Sequence, residues 1–575
     1  MIRILRTHFG RILGIGGVVA FALGVFGFRS CFPELSLDTI IYRTVQLFYW
    51  GYSPWDAGKE LPLPWTLAVA RWLAPAVLLG ALFSVAISVF EQKWQAWCIQ
   101  RMRGHTIVCG AGEKGGVLVA DLQNHGHAVV VIDPSESISK EGRLVVTGDA
   151  TERGVLTRAG IAQASRLVAL TGDDHDNLAI AVAAAQAAGA DTGLSIFLHS
   201  GDASLCDLYQ RNRALTASLG GVPVRVFNHY RNVARRTLQD FPLNPQTGQA
   251  HLILPGLSRV TLALAVEYAL VGHFPEEKRT HIHLAGPNAE ADLAKLRMKY
   301  PNMDQCVYLH TLPVREGQRF SSVVAEKVRS LATDDCFAIC PGTEDDNEAF
   351  GHALELYEML STHLNVQFLL DTLPGAAVRR LVEASSELKK RISFLPTGQP
   401  ASGYEAVIGD SLDRTARIIH DNWLAETRKQ IAAARAAGNE DLAKKHEMKG
   451  TYRQWGELTE EQKGANRSQA DHIAFKLRAV GLDPASATSE AWARLNTEEV
   501  EALARVEHAR WAAYLWMTGW TYAPERNDLK KQHPNLVPYD DLDEPTKDYD
   551  REAVRNLCEY LPRQINTNKH THNRT

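Results

Sequence analysis

Two stretches near the start of the chain are almost free of charge, and they limit its folding more than any other feature. Ile12 to Phe28 (ILGIGGVVAFALGVFGF) holds only apolar residues and glycine, and Trp65 to Phe90 (WTLAVARWLAPAVLLGALFSVAISVF) carries one charge, Arg71. A bilayer crossing takes about 20 apolar residues, and a lone segment satisfies its backbone there only as a helix. The first stretch is at the short end of that range and the second exceeds it. Arg71 lies near one end, with Trp65 and Trp72, where its long stem can snorkel to the interface. Arg3, Arg6 and Arg11 precede the first stretch as they would in a signal peptide. No small-residue cleavage pattern follows, so a retained helix is expected. With Lys93, Arg101 and Arg103 behind the second stretch, the basic flanks place both termini on the cytoplasmic side and residues 29–64 outside.

The segment between the stretches narrows the reading. SLDTIIYRTVQLF sets Leu37, Ile40, Ile41, Thr44 and Phe48 on one helical stripe, with Ser36 as N-cap. It runs into TVQLFYWGYSPW, Thr44 to Trp55. Helix, short amphipathic helix, Gly-Tyr loop and helix, in that order, resemble the pore of two-transmembrane potassium channels. The filter of such pores is T-V-G-Y-G, whose successive carbonyls replace the water around the ion. Here Tyr49-Trp50-Gly51-Tyr52-Ser53 keeps one Gly-Tyr pair, loses the second glycine and lacks Thr-Val before it. The pore-like residues are then Thr44, Tyr49, Trp50, Gly51, Tyr52 and Ser53; the competing reading is an interfacial helix with an aromatic belt.

Past residue 104 strand and helix patterns alternate. HTIVCGAGEKGG ends a short β-branched strand in Gly110-x-Gly112-x-x-Gly115, a helix is expected from about Lys114 to His125, and the strand AVVVID ends at Asp133. Gly110 permits the tight turn, Gly112 lets backbone approach a pyrophosphate, and Gly115 lets helix and strand pack closely. Phosphates sit where the free amides and dipole of a helix N-terminus favour negative charge. Asp133, 18 residues after Gly115, is placed to accept hydrogen bonds from ribose hydroxyls. No arginine follows it directly, which makes NADP the poorest fit among the dinucleotides.

The next residues, RLVVTGDATERGVLTRAGIAQASRLVALTGDDHDNL, resemble the RCK domain (regulator of potassium conductance, or TrkA-N). The matching pieces are Gly148-Asp149-Ala150, Ala159-Gly160-Ile161 and Thr171-Gly172-Asp173-Asp174 before Asn177. The resemblance implies an adenine-nucleotide site built from Gly110, Gly112, Glu113, Lys114, Gly115, Asp133, Asp149, Ala150 and Thr171. It also implies that NAD(H) or another adenine nucleotide binds as a regulator. No catalytic His, Lys or Cys constellation stands beside these residues, so no enzyme activity is expected.

The pattern then repeats. HLILPGLSRVTLALAVEYALVGHF reads again as strand, turn and helix, followed by the strands HIHLAG, CFAICPG, NVQFLLD and RISFLP. Its turn, Pro255-Gly256-Leu257-Ser258-Arg259-Val260, keeps one glycine of three, and its second strand ends in Gly286-Pro287 without an acid. This looks like a second RCK-like unit whose nucleotide pocket is lost or takes a different ligand. In the family, tandem RCK units assemble into a ring beneath an ion pore.

Near the C-terminus, VEHARWAAYLWMTGWTYAPERNDLKKQHPNLVPYDDL resembles the RyR domain, the repeat of ryanodine receptors. The pieces are Glu507-His508-x-x-Trp511, Gly519-Trp520-x-Tyr522 and His533-Pro534-x-Leu536-Val537-Pro538-Tyr539. Aromatic faces beside cations suit a nucleobase with phosphates. The candidate ligand residues are Asn466, Arg467, His508, Arg510, Trp511, Trp520, Tyr522, Arg526 and Tyr539, although a small helical core would use the aromatics equally well.

The expected fold class is a membrane α-helical hairpin, tandem Rossmann-like α/β units with parallel sheets, and a small mainly α C-terminal domain. In detail, 1–30 holds the first span (about 12–28), 31–64 the outer hairpin with a re-entrant helix (about 37–49), 65–91 the second span and 92–104 a linker. The Rossmann units take 105–245 and 246–425, the RyR domain with its preceding helices 426–565, and a polar tail 566–575. A net charge of −4 and a pI near 6.6 give no support to a nucleic-acid partner. Cys31, Cys98, Cys109, Cys206, Cys306, Cys336, Cys340 and Cys558 show no CxxC pair, and neither a metal site nor a disulfide framework is expected. The expected function is a homo-oligomer, most simply a tetramer, in a bacterial inner membrane, whose pore is gated by a nucleotide. The rival is a membrane-anchored nucleotide sensor without a selective pore; an NAD-dependent oxidoreductase lacks a catalytic group.

Overall fold

The computed structural model describes residues 2–51, 63–135, 144–189, 193–202, 205, 219–243, 245, 248–276, 278–342, 346–370 and 376–561, and it divides into two units, residues 1–102 and 103–575. In the first unit, helices α1 (Ile2–Cys31) and α3 (Trp65–Arg101) flank α2 (Leu37–Phe48). Gly10–Cys31 and Trp65–Ala86 are long and apolar enough to cross a membrane. Their packing rests on glycines. A Cβ on Gly27 would stand 2.8 Å from Leu67, one on Gly24 2.7 Å from Thr44, and one on Gly16 3.1 Å from Val77. Apolar helices in lipid gain little from burial, so close backbone approach through small residues supplies the contact. The linker expected to start at residue 92 is instead helix as far as Arg101. EQKWQAWCIQR holds no proline or glycine to stop it.

α2 buries Ile40, Thr44 and Leu47, whereas Leu37 and Ile41 of the expected stripe are 63% and 40% exposed. The glycine notch of α1 admits one residue per turn, so the buried face is a narrow seam rather than a broad stripe. Ser36 stands at the N-cap without a side-chain bond to the helix backbone; its hydroxyl lies 2.9 Å from Thr39 Oγ1. The helix ends in a Schellman arrangement: Gly51 N–H donates to Gln46 O (3.1 Å) and Trp50 N–H to Leu47 O (3.4 Å). The left-handed position of that motif, usually glycine, is Trp50 with φ +53°.

The second unit contains two six-stranded parallel sheets. The first runs β3-β2-β1-β4-β5-β6, from β1 (Thr106–Cys109), β2 (Val129–Asp133), β3 (Leu144–Thr147), β4 (Arg166–Ala169), β5 (Ser195–His199) and β6 (Val224–Phe227). Its helices include α4 (Glu113–Asn124), α5 (Arg153–Arg158), α6 (Asp174–Ala188) and α7 (His229–Asp240). The second sheet repeats this order as β9-β8-β7-β10-β11-β12, from β7 (Ala250–Leu254), β8 (His281–Gly286), β9 (Tyr308–Pro313), β10 (Cys336–Ile339), β11 (Val366–Leu370) and β12 (Ile392–Phe394). Strands covered on both faces read as continuous apolar runs, as TIVC and AHLIL do, each wholly buried. In both sheets the order reverses beside the first strand, which is where such folds open a crevice at the strands' C-terminal ends. The tandem doubly wound architecture is as expected.

The second sheet carries an unusual polar ladder. His251, His281, His283 and His310 lie with rings 4.7 to 5.3 Å apart across β7, β8 and β9. His251 Nδ1 lies 3.0 Å from His283 Nε2, and its Nε2 lies 3.2 Å from Asp335 Oδ2. Burial first, then mutual repulsion, pushes His251 down to about 4 and His283 to about 2, so both are neutral near pH 7.

Around the second sheet stand α8 (Arg259–Val271), α9 (Ala289–Lys299), α10 (Phe320–Arg329) and α11 (Asp346–Met359), with α12 (Ala376–Ala384) and α13 (Ser386–Arg391) before β12. After β12 the chain returns to the first sheet's helices. Tyr404 N–H donates to Asp121 Oδ2 on α4 (2.7 Å), Gln399 Nε2 to its Oδ1 (3.1 Å), and Ser402 Oγ lies 2.8 Å from His229 Nδ1. Val407 and Ile408 complete the core over β1 and α4. A division at 245/246 therefore does not separate two self-contained Rossmann units.

α14 (Arg414–Ala436) and α15 (Glu440–Glu447) form a helix pair, turning at Gly438 with φ +72°. α16 (Glu460–Asp471), α17 (Ile473–Ala479), α18 (Thr497–Met517) and α19 (Glu544–Arg555) make up the C-terminal region with the short strands β13 (Thr521–Tyr522) and β14 (Gln532–His533). Beyond Arg259, α8 is largely apolar, Glu267 paired with Arg231 being the charged exception, because one face covers the sheet and another meets α18; Phe475, Ala513 and Tyr514 belong to the same core as Leu264 and Tyr268. At roughly 1.5–3 kcal/mol per fully buried large apolar side chain, that shared core binds the C-terminal region to the second sheet.

Candidate nucleotide site and aromatic face

The three glycines of the first turn have three different structural reasons. Gly110 takes φ +91°, and a Cβ there would stand 2.7 Å from Leu170 O. A Cβ on Gly115 would stand 1.9 Å from Gly110 O, so helix and turn touch only because it is absent. Gly112 meets nothing within 4 Å and is exposed. It is the N-cap of α4 and supplies no side-chain cap, which leaves the first amides of that helix free for an incoming anion. Asp133 Oδ2 accepts from Ala111 N–H (2.7 Å) and Oδ1 from Ser135 N–H (2.8 Å), fixing the turn while retaining acceptor capacity.

Other expected residues divide between exposed and structural positions. Glu113 and Asp149 are exposed, and Asp149 is held below the usual carboxylate range by hydrogen bonds from Thr151 N–H and Oγ1, each 2.8 Å. Ala150 is buried. Thr171 N–H donates to Asn177 Oδ1 (2.8 Å), so this threonine shapes its loop.

Cations gather at the same helix end. Lys114 Nζ donates to Tyr230 OH (2.8 Å) and lies 4.2 Å from the ring centroid. Arg259 faces the same ring at 5.8 Å, its basicity raised by the hydrogen bond to Tyr230. His199, at the end of β5, is buried with neither ring nitrogen partnered among the described residues, and burial, then Lys114, pushes it down to about 3. Tyr230, His199 and Arg259 were not foreseen. Arg259 sits in the second unit's turn, which looked merely degenerate in sequence, yet it serves the first.

The second turn is closed from within. Leu257 N–H donates to Asp292 Oδ2 (3.3 Å), and Ser258 caps α8 in a reciprocal box with Thr261. The turn is thereby tied to α9 and the third amide of α8 is taken by Ser258.

In the RyR region the aromatics come together while the basic residues separate. His508 stacks on Trp511 (5.4 Å) and meets Tyr539 edge-on (5.9 Å); His533 meets both Trp511 (5.0 Å) and Trp520 (6.2 Å). Arg526 lies 6.0 Å from the Trp520 ring, and Tyr522 is exposed. His533, absent from the expected set, is the hub of this face and is pushed down to about 4 by burial, then Arg526. Arg510 departs from the expectation: it is buried, bonding Glu507 Oε1 (2.8 Å) and Ser468 Oγ (2.9 Å). Arg467 is likewise consumed by Asp413 (2.6 Å) and Glu460 (2.5 Å). Asn466 Nδ2 donates to Gln462 O (3.1 Å). A guanidinium buried with its carboxylate loses most of the interaction if drawn to a ligand, so these arginines hold helices together.

Of the pore-like residues, Thr44 is buried against Gly24 with its hydroxyl donating to Ile40 O (2.8 Å). Tyr49 and Trp50 are 71% and 64% exposed and Gly51 is exposed. Tyr52 and Ser53 lie outside the described residues.

Residues 106–215 match the TrkA-N domain and residues 493–563 the RyR domain. A Trk system potassium uptake protein TrkA homolog of Pyrococcus horikoshii is 34% identical over 79 residues, covering 13% of this chain and 35% of that protein. Potassium channel protein 1 of Methanocaldococcus jannaschii is 28% identical over 92 residues, covering 15% of this chain and 28% of that protein. The chain thus spans about a third of the length of the curated relatives it matches. Among solved structures, GsuK bound to ADP is similar at a TM-score of 0.35 and 16% identity, covering 72% of this chain and 98% of that chain. The GsuK channel bound to NAD is similar at 0.32 and 14%, covering 72% and 83%. The chain carries a TrkA-N (RCK) domain at residues 106–215 and a RyR domain at residues 493–563.

Proposed function

We propose that this protein is a nucleotide-regulated ion channel of the inner membrane, with both termini in the cytoplasm. The observation that carries the ligand is the open turn at Gly112, with the uncapped end of α4, Lys114 and Arg259 on one side and Asp133 on the other. That set suits an adenine nucleotide such as NAD(H) or ADP: amides and cations for phosphate, a carboxylate for ribose. Relatives named for potassium uptake and potassium channels, together with two membrane-length helices, support an ion as the permeant species. One helical hairpin cannot enclose a pore, so several copies, most simply four, would surround it. The nucleotide acts as a regulator and is not consumed. It shifts gating only by binding one state more tightly than the other.

A second reading, a membrane-anchored sensor without a selective pore, is favoured by the helix end at Tyr49-Trp50-Gly51, which closes in a turn instead of extending a ladder of carbonyls. Ion flux through liposomes holding the full-length protein separates the two. Flux that depends on NADH, NAD, ADP or ATP, lost in Asp133→Ala and without consumption of NADH, is expected. Nucleotide binding without flux would leave the sensor.

A further inference from the structure

A cavity of about 950 Å³ lies elsewhere, between β6, the start of α7, the returning segment around residues 406–417 and the turn leading into α16. None of Gly110, Gly112, Lys114, Asp133, Asp149 or Thr171 lines it. Its volume falls at the upper end of the roughly 300–1,000 Å³ usual for small-molecule sites.

The wall is built around one carboxylate. Asp410 takes a left-handed backbone, φ +59°, rare for a residue with a side chain, and it pairs with two guanidiniums, Arg225 and Arg417. One carboxylate neutralises one of them. Arg417 Nε is buried with no partner among the described residues, and both arginine side chains remain 42% exposed. The Trp455 indole, 9% exposed, also lines the cavity, with Arg417 5.9 Å from its ring centroid. Beneath it, Arg235 is locked to Asp413 (2.8 Å) and Asp471 (2.6 Å), so the floor is held rigid while the two rim arginines share a single carboxylate. A planar guanidinium pair suits the oxygens of a phosphate, and an indole face suits a planar base.

We infer that this cavity is a second ligand site, for a nucleoside phosphate, with phosphate held by Arg225 and Arg417 and the base against Trp455. The site is independent of the glycine turn. Because its walls come from the first Rossmann sheet and from the helices ahead of the RyR domain, occupancy ties those two parts together. It also accounts for an arginine excess that packing alone does not require.

The test is photolabelling of the full-length protein in detergent with 8-azido-AMP, followed by tryptic mapping. Label is expected on the peptide 454–463, which carries Trp455, and it should be competed by AMP. Arg225→Gln and Arg417→Gln, made singly, each leave Asp410 one partner and should keep the wild-type melting temperature. Each should weaken AMP competition on the order of tenfold, the effect of losing a charge-assisted phosphate contact. Gly112→Ala should leave this label unchanged, so failure here is distinct from failure at the turn. Label confined to 104–114, no label at all, or label on 454–463 indifferent to both arginines would overturn the inference.

Discussion

Gly112→Ala and Gly115→Ala differ by one methyl group placed three residues apart, and the structure predicts opposite consequences. At position 112, φ is −58° and a Cβ meets nothing within 4 Å, so alanine is accepted without strain. Replacing glycine at a compatible position stabilises by about 0.4–1 kcal/mol, because the unfolded chain has fewer conformations to lose. At position 115 the new carbon would stand 1.9 Å from Gly110 O, where real contacts stay beyond 3.0 Å, and α4 must move by more than an ångström. Overpacking of that kind costs about 1–3 kcal/mol. Binding reverses the order of interest: the methyl at 112 occupies the space a phosphate needs to reach the helix amides. Loss of one such charged hydrogen bond, about 1.5–3 kcal/mol, is a roughly 10- to 150-fold weaker Kd. Urea melts followed by circular dichroism, with calorimetric titration of ADP and NAD into the full-length protein, read both effects. Gly112→Ala melting at or above wild type with unchanged affinity for both nucleotides would refute the turn as a phosphate site.

Lys114→Gln should weaken ADP binding about tenfold and flatten its salt dependence, whereas an unchanged slope in titrations at several ionic strengths would show that Lys114 serves only Tyr230. Glu507→Gln leaves Lys476, 1% exposed, and Arg510 buried beside a neutral amide and should destabilise by about 3–5 kcal/mol in urea melts; a loss below ~1 kcal/mol contradicts the ion-pair account. For the histidine ladder the sign follows from depressed folded values: the unfolded chain takes up protons below about pH 6.5 while His251 resists until about 4, so stability is complete above pH 6.5 and falls with acid. One such group accounts for roughly 1–2 kcal/mol by pH 5, and His283→Leu should flatten the pH dependence of the melt across that interval. Trp50→Gly removes a bulky residue from a left-handed backbone and should stabilise the hairpin by about 1 kcal/mol, seen as a higher melting temperature in micelles.

Local chemistry was largely readable from the sequence. The first turn, its helix and Asp133 stand where strand, glycine spacing and terminal acid put them, because each glycine answers to a neighbour a few residues away. The two apolar spans and the repeated unit were legible for the same reason. What depended on distant partners was not. Tyr230 and Arg259 reach the first glycine turn from 116 and 145 residues beyond Lys114, and no periodicity signals such a meeting. Arg467 and Arg510 looked like ligand cations because arginine beside tryptophan is a recognition pattern; that Asp413 and Glu507 would neutralise them is a fact of tertiary packing. Only part of the α2 stripe is buried. Periodicity gives the face of a helix, but the partner's surface decides how much of it is buried.

The segment that returns from β12 to α4 bears on how the protein is made. Asp121, nearly buried in the middle of α4, has Tyr404 and Gln399 as its partners, and the core over β1 is completed by Val407 and Ile408. A ribosome that has finished the first sheet at Phe227 has yet to synthesise those residues. Until the whole second sheet has emerged, the first glycine turn rests on a helix that lacks these partners and has an incomplete hydrophobic underside. At about 5–20 residues per second, the interval from Phe227 to Ile408 is on the order of ten to forty seconds. The nascent chain spends that time with its first glycine turn assembled but not yet locked, a window in which a chaperone has the most to contribute.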